Sequence, residues 1–144
     1  MWLKTEVMKY IKILIILFFF ADSVSSKISY FEKAKKLFND KNYEKSKFLF
    51  EKDIVFNPKN FESYFYLAKI HKINKNFVEE EKNLKTVILL NPKLSEAYYL
   101  LTLKQIRDGD FNLAKKNAVL FKKFCSSKCE KLKKIENLIK ESKG

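Results

Sequence analysis

The sequence repeats itself with a 34-residue period. Ser29-Tyr30-Phe31 returns as Ser63-Tyr64-Phe65 and, in altered form, as Ala97-Tyr98-Tyr99, while Asn57-Pro58-Lys59 returns as Asn91-Pro92-Lys93. A fixed period of this length indicates an array of small units, each of which buries its apolar face against its neighbours. The chain is therefore expected to stack unit upon unit.

Composition indicates that the units are helical. Glycine and proline each occur only twice in 144 residues, which is too few for a hairpin-rich protein. Asn57-Pro58 ends one helix, Asn76 with Glu79 opens another, and Asp110 opens a third. The predicted helices are 27–40, 43–56, 60–74, 77–90, 94–107, 111–123 and 128–141.

The period breaks after Phe124. Ser127 and Glu130 form a capping box that opens the last predicted helix, which carries an apolar stripe through Ile135 and Ile139 among many lysines. Stacked repeats need a terminal element with a polar outer face. Residues 127–144 are therefore predicted to form a capping helix.

Residues 1–26 have the pattern of a secretory signal. Three lysines precede and border an apolar run at residues 13–21, and small polar residues follow it. Cleavage after Ser23 or Ser26 fits this order, because the run is shorter than the ~20 residues of a membrane-spanning helix. An uncleaved anchor over residues 8–21 is the alternative. We expect the protein to be exported, either to the periplasm or out of the cell.

The repeats resemble the tetratricopeptide repeat (TPR) family over residues 27–124. Pro58 and Pro92 stand at the family's closing proline, and Leu67-Ala68 matches its large-then-small pair. The family's aromatic positions, early in each first helix and opening each second helix, are held by Tyr30, Tyr64, Tyr98, Tyr43, Phe77 and Phe111. The small residue of the second helix is kept only at Ala114, and Glu80 in its place predicts a looser or rotated helix pair. A helical-hairpin array of another repeat family is the alternative.

The resemblance implies an all-α, right-handed superhelix of three helix-turn-helix repeats, 27–60, 61–94 and 95–126. First helices would line a concave groove that binds a peptide or protein. The residues predicted to line it are Phe31, Lys35, Phe65, Tyr66, Lys69, Lys72 and Tyr99. Aromatic side chains alternating with lysines suit an extended, acidic peptide. The alternative is that Phe31, Phe65 and Tyr99 only pack between repeats. The Lys, Asn and Arg set with which one TPR subclass grips a terminal carboxylate is absent, since Glu32, Glu62 and Glu96 stand there.

The chain is strongly basic, with 30 Lys and Arg against 17 Asp and Glu. Such a charge attracts acidic proteins, lipid headgroups and polyanionic polymers. All but one of the basic residues are lysine, which argues against nucleic-acid recognition because arginine is the usual reader of bases and phosphates. The alternative function is therefore a structural protein that associates with membrane or polyanion surfaces through its lysines.

Nothing in the sequence indicates an enzyme, a metal site or a cofactor. His71 is the single histidine and falls where a first helix packs on its neighbour, so a packing role is expected. No glycine-rich phosphate loop is present.

Cys125 and Cys129 are the only cysteines. In an oxidising compartment two close cysteines bond, and a bridge here would fasten the loop before the capping helix. A redox-active thiol at Cys129 is the alternative, although three intervening residues do not match the thioredoxin motif. We therefore interpret the chain as an exported, non-enzymatic TPR interaction module.

Overall fold

The structure is a computed structural model that describes residues 29–126 and 129–141. Within these ranges it contains helices and no strands. The helices are α1 (Tyr30–Asn39), α2 (Tyr43–Phe56), α3 (Phe61–Ile73), α4 (Phe77–Leu90), α5 (Ser95–Arg107), α6 (Phe111–Phe124) and α7 (Glu130–Glu141). The predicted signal segment and Ser127 of the predicted capping box lie outside the described residues. None of the helices in the described ranges has the length and apolar character needed to cross a bilayer.

Side-chain caps define where most helices begin. The predicted caps form: Asn76 accepts a hydrogen bond from the backbone N–H of Glu79 at 3.3 Å, and Asp110 accepts one from Leu113 at 3.1 Å. Ser29, Asn42 and Asn60 cap α1, α2 and α3 in the same way. Each such cap stabilises its helix by about 1 kcal/mol. Leu94, which precedes α5, makes no side-chain cap, so that helix relies on packing.

The turn inside each repeat requires a left-handed residue at the same repeat position. Lys41, Lys75 and Gly109 occupy this position in the three successive repeats and have φ of 59°, 56° and 79°. The following residue then donates its backbone N–H to a carbonyl five residues earlier, as in Asn42 to Leu37 at 2.8 Å. This geometry satisfies carbonyls at the end of the first helix. Only the third repeat uses the glycine that this conformation favours.

The early tyrosine of a repeat fastens it to the preceding turn. The hydroxyl of Tyr98 donates to the carbonyl of Pro92 at 3.0 Å, and that of Tyr64 donates to Pro58 at 3.3 Å. The tyrosine ring also stacks on the last residue of the second helix, as Tyr98 does on Phe124 at 5.7 Å between ring centroids. The periodic recurrence of these residues therefore reflects a repeated contact.

The core consists of layers between successive helices. Phe50, Leu67 and Ile70 form one layer, Leu84 and Leu101 contribute to the next, and the third contains residues Phe121, Ile135 and Ile139 with their neighbours. The helix α7 packs on α5 and α6 through its two buried isoleucines. It thus covers the end of the third repeat, as predicted for a capping helix.

Glu80 does not open the pair of α3 and α4. Its side chain is only 1% exposed, and Ala68 and Leu84 beside it are 1% and 0% exposed. Its carboxylate accepts a hydrogen bond from Arg107 Nη2 at 2.8 Å, which supplies a partner for the buried charge. The buried side chains show no looser pair at this residue, and the alternative of a locally rotated helix stays a prediction.

Candidate functional site

The first helices and the capping helix meet along one side of the array, which we call the inner face. Phe31 of α1 contacts Tyr66 of α3 at 6.1 Å between ring centroids. Further along, Lys69 of α3 interacts electrostatically with Glu96 of α5. Lys131 of α7 then reaches Glu96 with Nζ–O distances of 2.6 and 2.8 Å. The inner face therefore runs continuously from α1 to α7.

A lysine ammonium lies over every aromatic ring of the predicted ladder. Lys35 Nζ is 5.8 Å from the ring centroid of Phe31, and Lys69 Nζ is 4.3 Å from that of Phe65. The third ring, Tyr99, has Lys131 Nζ at 4.6 Å. Cation–π contacts of this kind contribute about 0.5–2 kcal/mol each. They hold three ammonium groups in a row along the inner face.

The three ladder aromatics differ in burial. Phe31 is 9% exposed and packs on Phe50, and Tyr99 is 8% exposed and packs on Phe121. Both rings are core residues that expose little beyond the edge under a lysine, so the expectation that they face an open groove is wrong for these two. Phe65 is half-buried against the layer that contains Leu84. It is the ladder aromatic that keeps surface for a ligand.

Lys69 lies at the centre of the inner face. Its Nζ is close to two rings, Phe65 at 4.3 Å and Tyr66 at 5.2 Å. Burial lowers the pKa of Lys69; the nearby carboxylate of Glu96 opposes this effect, and the charge of Lys131 adds to it. A negatively charged ligand beside Lys69 would offset, by its own charge, the cost of desolvation and the repulsion between the lysines.

Tyr66 and Lys72 occupy different depths. Tyr66 stacks on Phe50 with centroids 4.9 Å apart and meets Phe38 edge to face at 5.0 Å, so it is anchored in the first core layer. Lys72 is half-buried in the last turn of α3. Contacts thus join Phe31, Tyr66, Lys69 and Tyr99, through Glu96 and Lys131, on one side of the array, and the role of Lys72 there stays a prediction.

Similarity to known proteins is found in the structure and not in the sequence. No protein-family model matches the sequence, and there is no match among curated proteins. The first TPR of Spaghetti (RPAP3), solved with the HSP90 peptide SRMEEVD, superposes with a TM-score of 0.72 at 17% identity, over 80% of this chain and 91% of that one. The type III secretion chaperone SycD of Yersinia enterocolitica, solved with a peptide of the translocator YopD, superposes with 0.71 at 12% identity, over 84% and 96%. The Sgt2 TPR domain from Aspergillus fumigatus gives 0.66 at 17% identity, over 79% of each chain.

The chain has the tetratricopeptide-repeat fold. The all-α helical-repeat superhelix expected from the sequence is therefore confirmed. At these identities the likeness concerns the fold alone.

Sequence reasoning missed Lys131. In the TPR register, Lys35 and Lys69 are followed one period later by Leu103, so the helix of the third ring has no lysine at the equivalent position. The helix α7 takes the place of a fourth first helix and supplies the ammonium from there. The signal was the interruption of the lysine series at Leu103, although the sequence alone could not show which residue fills the gap.

Cys125 and Cys129 lie at disulfide distance between α6 and α7. Their Cα atoms are 5.8 Å apart and the sulfurs are paired. The pair stands one residue before Glu130, where α7 begins, and therefore close to Lys131. A bond between them in the exported protein stays a prediction.

A surface cleft of 670 Å³ lies outside the inner face, along α4 and α5. Its charged residues already pair with one another: Glu81 with Lys85 at 2.7 Å and with Lys104, which also pairs with Asp108 at 2.6 Å. Burial opposes the charge of Lys104, but these hydrogen bonds raise its pKa. The described residues contain no cluster of His, Cys, Asp and Glu able to hold a metal ion.

Proposed function

We propose that this protein is an exported, non-enzymatic interaction module that binds an extended, acidic segment of a partner protein on the inner face. The binding residues are Phe65 and Lys69 at the centre, with Lys35, Lys72 and Lys131 contributing charge along the face. The observation that carries the proposal is the position of Lys69 Nζ, held 4.3 Å over the half-buried ring of Phe65. This places an apolar surface and a desolvated positive charge side by side.

The neighbours in fold support a peptide as the ligand class. Two were solved with peptides whose printed sequences contain consecutive acidic residues, SRMEEVD and SGPTIEEVD. A third was solved with a translocator peptide. The inner face of this chain has an excess of positive charge, because its four lysines outnumber the three glutamates Glu32, Glu62 and Glu96. An acidic segment would compete with Glu96 for Lys131 and leave that glutamate to solvent.

Export is proposed from the signal-like segment at residues 1–26, with cleavage after Ser23 or Ser26. Catalysis is not proposed, because His71 is buried and the proposed site contains no nucleophile with an adjacent base. N-terminal sequencing of protein from the native cell tests the leader. An intact Met1 in a carbonate-resistant membrane fraction would instead favour an anchor over residues 8–21.

The binding proposal is tested with short peptides of matched length that carry from zero to four glutamates, titrated by fluorescence anisotropy. Affinity should rise with the number of carboxylates, and Lys69→Gln with Lys131→Gln should abolish most of that rise. Phe65→Ala should weaken all of the peptides, by about thirtyfold if the ring is an anchor. Lys33→Gln with Lys59→Gln removes the same charge from exposed positions in the first repeat and its closing turn, and serves as the matched control.

Two results would contradict the proposal. One is an equal loss, in the Lys69/Lys131 variant and in the Lys33/Lys59 control, of the rise in affinity with peptide carboxylates. That result would indicate attraction by net charge alone. The other is a Phe65→Ala protein that loses several kcal/mol of stability and keeps its peptide affinity, which would make Phe65 a core residue like Phe31 and Tyr99.

A further inference from the structure

Large apolar side chains are exposed mainly on the second helix of each repeat. Eight are more than 40% exposed among the described residues, and seven of these lie on the second helices α2, α4 and α6. They are Phe48, Val55, Phe56, Val78, Leu89, Leu113 and Val119. Exposed apolar side chains are therefore concentrated on the second helices of the repeats.

Charge separates α6 from the other second helices. In α2 three lysines are balanced by Glu44, Glu51 and Asp53, and in α4 two lysines face three glutamates. The sequence of α6, FNLAKKNAVLFKKF, contains four lysines and no acidic residue, so its side chains carry a net +4. The excess positive charge of the second helices is concentrated on this one helix.

The lysines of α6 surround an exposed apolar residue. The helix turns Ala114, Ala118 and Phe121 into the core. Lys116 lies about one turn before Val119, and Lys122 and Lys123 lie about one turn after it. Val119 is 67% exposed, and none of the ion pairs among the described residues includes Lys116, Lys122 or Lys123. We call this surface, Lys116, Val119, Lys122 and Lys123 with Leu113, the α6 outer face.

We propose that the α6 outer face binds the surface of an anionic lipid bilayer. Lysines with apolar side chains between them suit this surface, because the ammonium groups meet the headgroups while lysine stems and apolar groups enter the interface. A soluble polyanion would use the lysines but would gain nothing from Val119. An acidic protein would also pair with the lysines, but the α6 outer face contains no aromatic side chain to anchor such a partner. The α6 outer face shares no residue with the inner face, so bilayer and peptide binding are independent.

The test is partition of the purified full chain between buffer and sedimented vesicles, made either of zwitterionic phosphatidylcholine alone or of phosphatidylcholine mixed with anionic phosphatidylserine. Any contribution of the apolar leader appears with both vesicles, so the difference between them measures the electrostatic part. Each lysine near an anionic surface is expected to contribute about fivefold. Lys116→Ala, Lys122→Ala and Lys123→Ala together should therefore reduce the difference on the order of a hundredfold.

The matched control replaces Lys33, Lys36 and Lys59 by Ala, which removes the same charge from exposed positions at the other end of the array. It should lower the difference less than about threefold, through net charge alone. Val119→Ser should weaken anionic vesicle binding about fivefold, while soluble polyphosphate binding stays unchanged. Far-ultraviolet circular dichroism and thermal melts should show that all variants fold, because the substituted positions are exposed.

Equal losses in the two triple variants would overturn the proposal in favour of non-specific attraction. Polyphosphate competition that removes vesicle binding completely, together with no effect of Val119→Ser, would assign the lysines to a soluble polyanion. Peptide titration of the same variants should be unaffected in every case, which separates this proposal from the function of the inner face.

Discussion

The junctions between successive repeats share one register but are built from opposite chemistry. At the junction of the first and second repeats, Asp53 is 1% exposed and accepts three hydrogen bonds. The donors are Ser63 Oγ at 2.6 Å, Asn60 Nδ2 at 2.7 Å and Asn57 Nδ2 at 3.0 Å. A buried carboxylate is tolerated there because neutral donors replace the water that it has lost.

The next junction is apolar at the same positions. One period after Asp53, Asn60 and Ser63 stand Val87, Leu94 and Ala97. Val87 and Ala97 are both 0% exposed. The charges of this junction lie elsewhere, in the pair of Glu80 with Arg107. The comparison shows that a repeat position is defined by its neighbours across the junction: polar with polar, or apolar with apolar.

We expect the residues that meet at a junction to depend on one another for stability. Val87→Asp places a carboxylate in the second junction without donors, and we expect it to cost at least about 4 kcal/mol, enough to unfold much of a small domain. Val87→Asp with Leu94→Asn and Ala97→Ser transplants the whole trio and should recover most of the loss. Urea denaturation followed by circular dichroism measures both. A triple variant no more stable than the single one would show that the trio is not a transferable unit.

The ion pair of the second junction should be asymmetric. Glu80 is buried, whereas the side chain of Arg107 is 34% exposed and lies 3.8 Å over the ring of Phe77. Arg107→Met strands a buried carboxylate and should cost about 3 kcal/mol. Glu80→Ala restores the small residue found at Ala114 in the third repeat and should cost much less. Urea denaturation of both single variants and of the double variant gives the coupling energy of the pair by a double-mutant cycle. Equal costs for the two single variants would contradict the burial argument.

At the third junction, onto α7, Cys125 and Cys129 lie at disulfide distance, and we predict that they bond. Cys125→Ser with Cys129→Ser should lower stability by about 2 kcal/mol, because the loop that the bond closes is short. Thermal melts with and without reductant measure this, and non-reducing mass spectrometry of alkylated protein detects the bond. Two free thiols in freshly isolated protein would remove it from the comparison and favour a redox or partner-linking role for Cys129.

The turns within the repeats provide a smaller contrast. Lys75 holds a left-handed conformation that Gly109 adopts more easily in the third repeat. Lys75→Gly should therefore stabilise the protein by about 0.5–1 kcal/mol, and Gly109→Lys should destabilise it by a similar amount, since no atom lies near the added Cβ. Melting temperatures of the two variants should shift in opposite directions. A shift in the same direction would mean that the turns differ in more than this one residue.

The smallest effect concerns pH. Burial lowers the pKa of His71 below 6.5, and the charge of Lys47 adds to this. In the unfolded state His71 therefore binds a proton at a higher pH than in the folded state. The free energy of unfolding should consequently decline as the pH falls below about 6.5. His71→Gln should flatten that decline. The free energy of unfolding, measured at intervals from neutral to mildly acidic pH, tests this, and an unchanged slope in the variant would assign the decline to carboxylates.

The sequence predicted the periodic parts of this molecule well. The helices that open at Tyr43, Phe77 and Phe111 begin where expected, because the cap and the aromatic residue are both local signals. Contacts that do not recur with the 34-residue period could not be predicted from the sequence. Arg107 is 27 residues from Glu80, and Lys131 enters from a helix outside the period.

The sequence placed the ladder aromatics at equivalent repeat positions, but it did not predict how deeply each ring is buried. A residue next to the early tyrosine lies at the border between the inner face and the neighbouring repeat. Phe31 packs on Phe50 and Tyr99 packs on Phe121, and both partners lie on the second helix of the same repeat. Such pairings lie outside what one helix pattern can indicate.

The buried carboxylate of Asp53 also makes the three units of this array non-interchangeable. Were the third unit to follow the first directly, Ala97 would stand in place of Ser63 opposite Asp53, which would keep only the donors of Asn57 and Asn60 from its own unit. The order of the units is thus encoded in the surfaces by which they join. Arrays of this chain that are shuffled, or shortened by deletion of the second unit, are expected to fail at that interface, whereas duplication of a matched pair preserves it.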